Sequence, residues 1–243
     1  MNVTGPKIYY TIPILGGIPI TETIVNMWIL MAVIVAVCIF LTRGLKDHPQ
    51  SKRQIVAELI VSKLYDLVKD TMGERNIRYA PYIGTVFTIS ALGSLSSLVG
   101  MRPITADLSV TLAWGLVTFV IVQAESIKTS GILSYLKSFF QPVPILFPLN
   151  VISTVASPVS MAFRHFGNIT SGLVISKLVY TALASLSAVV LSFLSNSFIK
   201  SIPIFQLGIP AVLSIYFDLF SGCLQAYIFC MLTMVYISNA NET

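Results

Sequence analysis

The sequence predicts an all-α integral membrane protein in a single membrane domain over 1–243. Its expected parts are one N-terminal transmembrane helix, a membrane-surface amphipathic helix, a transmembrane helix pair and a long tilted helical hairpin. Three observations carry that prediction. The 243 residues are 55% hydrophobic and only 10% charged, whereas soluble chains carry roughly a quarter charged residues, and the mean hydropathy is +0.84. The apolar residues gather into runs that match the ~20 helical residues needed to cross a hydrocarbon core of about 30 Å. The basic residues collect between those runs. This balance excludes an independent aqueous catalytic domain, a nucleic-acid binder and a disulfide scaffold.

The first span is Ile24 to Thr42, with Asn26 as its main polar interruption. It lies behind a mixed stretch with no short basic region, so no cleavable leader is expected. Arg43, Lys46, Lys52 and Arg53 follow around the breaker pair His48-Pro49. The positive-inside rule makes that loop cytoplasmic and the N-terminus external. Residues 54–72 then alternate differently: Ile55, Leu59, Val61, Leu64, Leu67 and Val68 recur at helical spacing among Glu58, Lys63, Asp66, Lys69 and Asp70. That is an amphipathic helix, suited to a membrane surface or to a soluble partner. A transmembrane pair over 80–127 comes next, its first member rich in the Ser and Gly that let helix backbones approach closely. It turns at Met101 to Thr105 and ends before Lys128 and Lys137, which lie on the same side as the earlier basic loop.

Residues 148–239 form the expected long hairpin. From Pro148 to Asn196 only Pro158 interrupts 49 residues. As a helix this stretch spans roughly 73 Å at 1.5 Å per residue, far more than the bilayer core, so it is strongly tilted, curved or broken. Leu207 to Asn239 repeats the problem more mildly, with an external turn at Lys200 to Pro203 between the two. No two-halves repeat of the kind common in secondary transporters is visible.

Arg164 is the most informative residue. It stands well inside an apolar stretch, where an arginine costs about 2.5 to 3.5 kcal/mol to insert. Asn150, Ser153, Ser157, Ser160, Arg164, Gly167, Asn168 and Ser171 recur at helical intervals and share one face. Such a stripe walls a wet path or a tight protein contact. The last helix carries Ser214, Asp218, Ser221, Gly222 and Gln225 at matching spacing. A buried carboxylate without a partner protonates, so Asp218 is either a proton-exchanging group or the partner of Lys177 or Arg164. Asp107 reads equally as a path residue and as a helix cap, and Glu125 lies near the end of its span. His165, beside Arg164, is expected to be neutral. Enzyme motifs such as GxxxxGK[ST] and HExxH are missing, and Cys38, Cys223 and Cys230 have no paired spacing for a disulfide or zinc site. No metal or cofactor is expected.

Several segments resemble subunit a of F-type ATP synthases. They are Arg164-His165-Phe166-Gly167-Asn168, preceded by Pro148-Leu149-Asn150 and Pro158-Val159-Ser160; Thr105 to Leu112, similar to a TADxNxTL segment; Leu224 to Phe229, similar to LQAxIF; and Val68-Lys69-Asp70 before Ala80-Pro81. The resemblance covers nearly the whole chain. It implies a stator subunit that forms the ion path, H⁺ being the expected ion, beside a rotating ring of c subunits, with peripheral-stalk b subunits and the lipid bilayer as further partners. A bacterial plasma membrane is the implied location. It also implies that Arg164 is the family's essential arginine, and that Asn168 and Gln225 match its asparagine and glutamine. The candidate ion path is then Asp218, Gln225, Asn168, Asp107, Ser221, Ser171 and His165. The chain departs from the pattern at Leu173, where many relatives carry an acid or histidine, at Ser153 and Thr154, where many carry acids, and at His165, where leucine is usual. Asp218 occupies the position facing the Leu173 site. The runner-up reading is a stand-alone secondary transporter in which Arg164 binds an anionic substrate.

Overall fold

The computed structural model describes residues 6–13, 17–46, 51–191, 212 and 215–242. The expected turn at Lys200 to Pro203 lies outside them, as does Ser214. Two short strands, β1 (Ile8–Ile12) and β2 (Ile18–Thr21), pair antiparallel with Ile12 opposite Ile18. The sequence reading has no counterpart for this hairpin. Its β-branched Ile and Thr residues suit a pleat, but it is too short to register in a search for spans.

Helix α1 (Glu22–Thr42) is mostly exposed, as a lipid-facing span should be, and buries only Thr23 and Asn26. Asn26 has a use: its amide donates to the Arg102 carbonyl at 3.1 Å, tying the first span to the turn of the transmembrane pair. Helix α2 (Lys52–Met72) is the amphipathic element. Ser51 caps its start, and Val68 and Met72 point into the core. A 3₁₀ turn (Glu74–Tyr79) leads into α3 (Ala80–Leu95), and a second (Ser96–Val99) ends it. Helix α4 (Leu108–Ser130) returns, and a short α5 (Ile132–Ser138) follows it.

Helix α6 runs without a break from Phe147 to Leu191, 45 residues that include Pro158. That is roughly 67 Å of helix, so it can lie within a bilayer only obliquely. A π-turn (Ile215–Phe220) opens the final helix, α7 (Ser221–Glu242). Among the described residues five helical stretches are long and apolar enough to cross a membrane.

The core sits around α7. Phe229, Cys230, Met234 and Ile237 pack against Val68 and Met72 of α2, Ile83 and Val86 of α3 and Met161 of α6. Gly222 permits a close crossing of α7 on α3, since a Cβ there would lie 2.9 Å from Ser94 Cβ. Polar links finish the basic end. Asn241 Nδ2 donates to Asn76 Oδ1 at 2.7 Å, and Thr129 Oγ1 donates to Asn241 Oδ1 at 3.1 Å. Glu125, buried on α4, accepts from Arg78 and from the Tyr79 hydroxyl. A buried carboxylate needs such partners, and these two hold the start of α3 against α4.

Candidate functional site

Helix α6 splits its circumference between two tasks. Pro158, Met161, Ala162, His165, Ile169 and Gly172 are buried toward the other helices, while Ser153, Ser160, Arg164, Gly167, Asn168 and Ser171 are exposed. The polar stripe read from the sequence is therefore a surface of this chain. Two of its serines bond their own helix: Ser157 Oγ donates to the Ser153 carbonyl at 3.0 Å and Ser171 Oγ to the Asn168 carbonyl at 3.1 Å. Arg164 is different. Among the described residues it forms no ion pair, and a side chain added at Gly167 would meet nothing within 4 Å. A guanidinium remains charged at any relevant pH, so this open face presents an uncompensated cation midway along a membrane helix.

Asn168 links that face to α7. Its Nδ2 donates to Gln225 Oε1 at 2.6 Å, and Gln225 is itself buried. The two residues matched through the resemblance thus meet, next to Arg164. His165 points the other way. It is fully buried, 3.2 Å from Ser90 Oγ and edge-on to Trp114 and Phe229, with ring centroids at 6.0 and 5.4 Å. One residue of helix turns a side chain by about 100°, which removes His165 from the outward stripe and makes it a polar link between α6 and α3.

Asp218 lies in the π-turn, where bonds run i to i+5 and a simple α spacing to Ser221 and Gln225 no longer holds. It is half-buried and lines a void of about 10 Å³ with Leu173, Gly172, Phe217, Ser94 and Ser97. That volume is at the lower limit for one water molecule. No ion pair joins Asp218 to Lys177 or Arg164 among the described residues. Ser221 is half-buried at the first position of α7. Asp107 caps α4, its Oδ1 accepting from the Ser109 amide at 3.1 Å and the Ser109 hydroxyl at 2.5 Å.

On the Lys128 and Lys137 side, α4, α5, α6 and α7 enclose a cavity of about 540 Å³ whose lining includes Gln123, Ser126, Tyr135, Asn150, Ser153 and Asn239. A second cavity, about 140 Å³, continues from it past Gln123, Thr154 and Tyr236 to Ser157. Ser157 stands seven residues before Arg164, roughly 10 Å along the helix. The sequence reading placed Asn150, Ser153 and Ser157 on a face that walls either a wet path or a tight protein contact, and missed Gln123, Tyr135 and Asn239. Polar residues scattered over three helices leave no local spacing to read.

The residues 24–238 match the model of the family described as ATP synthase A chain. The chain belongs to that family. Among similar proteins, ATP synthase subunit a of Moorella thermoacetica (strain ATCC 39073 / JCM 9320) is 35% identical over 93% of this chain and 93% of its own length. The sodium ion specific ATP synthase subunit a of Propionigenium modestum is 31% identical over 98% of this chain and 86% of its own. That of Crocosphaera subtropica (strain ATCC 51142 / BH68), designated subunit a 1, is 34% identical over 91% and 87%. The resemblance read from the motifs is confirmed, and all the candidate path residues fall inside the family match. As an ATP synthase A chain, this is an integral membrane component of a multi-subunit complex that couples ion transport to ATP synthesis.

Proposed function

We propose that this chain is the proton-translocating stator subunit of a rotary ATP synthase, held beside a ring of c subunits by peripheral-stalk b subunits. It offers the ring two offset half-channels with Arg164 between them. The observation that carries the reading is the open polar face of α6 with an unpaired guanidinium at its middle. Such a cation draws a facing carboxylate into its ionised form. A proton arriving through one half-channel neutralises a ring carboxylate, which then moves away into lipid and returns after nearly a full turn. Arg164 discharges it into the second half-channel and keeps the two from meeting. Asp218, Ser221, Gln225, Asn168 and Ser171 serve the outer path, with Asp107 at its rim and His165 as the packing anchor of α6. The void at Asp218 is about the size of one water, enough for a proton to cross by transfer between hydrogen-bonded groups.

The direct test is purification in mild detergent. A small, very hydrophobic, ring-forming subunit is expected to accompany this chain. Its absence from an otherwise intact preparation would favour the stand-alone transporter.

Orientation is a separate expectation. The eight basic residues Arg43, Lys46, Lys52, Arg53, Lys63, Lys69, Arg75 and Arg78, with Lys128 and Lys137, place their side in the cytoplasm of a bacterial plasma membrane. A reporter fused at Asn241 should be cytoplasmic and one near Asn2 external; the reverse result would exchange the two half-channels.

A further inference from the structure

The segment from Gly131 to Gln141 closes over the larger cavity and is tied at both ends. Gly131 adopts φ +81°, a left-handed conformation that glycine tolerates, and its amide donates to the Ile127 carbonyl at 2.9 Å. At the other end Asn150 Nδ2, on α6, donates to the carbonyls of Phe139 at 2.8 Å and Gln141 at 3.0 Å. Asn150, the first member of the polar stripe, therefore serves as an anchor for the strap. From the middle of the strap the Tyr135 hydroxyl donates to Gln123 Oε1 on α4.

Val122, Gln123, Thr154, Tyr236 and Asn239 line both the ~540 Å³ cavity and the ~140 Å³ one, and Gln123 among them accepts the bond from the strap's Tyr135; Tyr135 and Ser126 line only the first cavity and Ser157 only the second. The Thr154 carbonyl has no helical donor because residue 158 is proline and lacks an N–H. The junction thus brings together an amide held by the strap and a helix turn that lacks its ordinary i to i+4 bond. Burial pushes the Tyr135 phenol up from its ordinary value, so it remains a protonated donor at neutral pH.

Resting on the stator reading above, we propose that Tyr135 and Gln123 form the neck of the inner half-channel. Their hydrogen bond sets how readily a cation and its water pass from the larger cavity to the smaller one that reaches Ser157. Tyr135 is a positioning residue, acting through the Gln123 amide.

The test uses the assembled complex in inverted vesicles, with Cys38→Ala and Cys223→Ala as background. Ser157→Cys reports the deep cavity and Ser126→Cys the outer one, and silver ion added from the cytoplasmic side is the probe. The readout is the rate at which each thiol is lost, by mass spectrometry of this chain. Tyr135→Phe should raise the Ser157→Cys rate about five-fold, the weight of one ordinary hydrogen bond, and leave the Ser126→Cys rate unchanged. Gln123→Ala should do at least as much. An unchanged deep rate in both variants, an equal rise at both positions, or no reaction at Ser157→Cys in any background would overturn the neck. The stator reading is judged separately by Arg164. A failed neck alongside an uncoupled Arg164→Ala enzyme would remove only the neck.

Discussion

Replacing Arg164 with Ala or Gln is expected to abolish coupled transport while the subunit still inserts and assembles. The two halves of that expectation have different origins. Assembly survives because Arg164 makes no ion pair within its own chain among the described residues, and its face is open. Removing it even relieves an insertion cost of about 2.5 to 3.5 kcal/mol. Coupling fails because the charge acts on something outside the chain. Two opposite unit charges about 4 Å apart attract by ~4 kcal/mol at an effective dielectric of 20. Loss of that attraction leaves a ring carboxylate protonated beside the stator roughly a thousand times more often. Arg164→Lys should also fail substantially, since an ammonium is a compact point charge without the planar fork and shifts its pKa when desolvated. The measurements are ATP-driven pumping and proton-driven synthesis in vesicles, against the amount of assembled subunit. Pumping near the unmodified rate in Arg164→Ala would end the stator reading.

Features set by strong local periodicity were legible in the sequence. The span of α1, the amphipathic pattern of α2 and the stripe through Arg164 each repeat often enough along one helix to be read from spacing alone. The length of α6 followed from the absence of a proline-glycine loop, and the one proline in its interior, Pro158, does not interrupt it. What escaped depends on contacts across the chain. Glu125 finds Arg78 and Tyr79 from 47 and 46 positions away, and no local pattern announces such a pair. Arg164 and His165 are neighbours in the sequence, yet helical geometry sends one outward and the other against Trp114 and Phe229. The α spacing assumed for Asp218 ignored a π-turn, which apolar periodicity over six residues cannot reveal. The strap carrying Tyr135 is seven helical residues between longer elements, too short to stand out as an element of its own.

Asp218→Asn should slow proton-driven synthesis sharply without preventing assembly. The reasoning starts from the count of groups that can titrate: along 147–243 the only acids are Asp218 and the terminal Glu242. His165 is buried on the face of α6 that also carries Ile169 and Gly172, packed among Ser90, Trp114 and Phe229, and does not itself line the void at Asp218. Leu173, across the void from Asp218, cannot hold a proton. With asparagine at 218, the one-water gap keeps its shape and its serines but loses the group that captures a proton from outside. Asp218→Asn combined with Leu173→Glu should restore part of the rate, because the new carboxylate enters the same void from the facing helix. Asp107 is the competitor for the role, but its Oδ1 is occupied by the Ser109 amide and hydroxyl at the start of α4. The deciding measurement is synthesis rate against external pH, with and without added sodium. A proton path through Asp218 predicts that the substitution flattens the pH dependence and that sodium changes nothing. If rate and pH dependence both survive Asp218→Asn, the outer path lies elsewhere and Asp107 becomes the group to replace next.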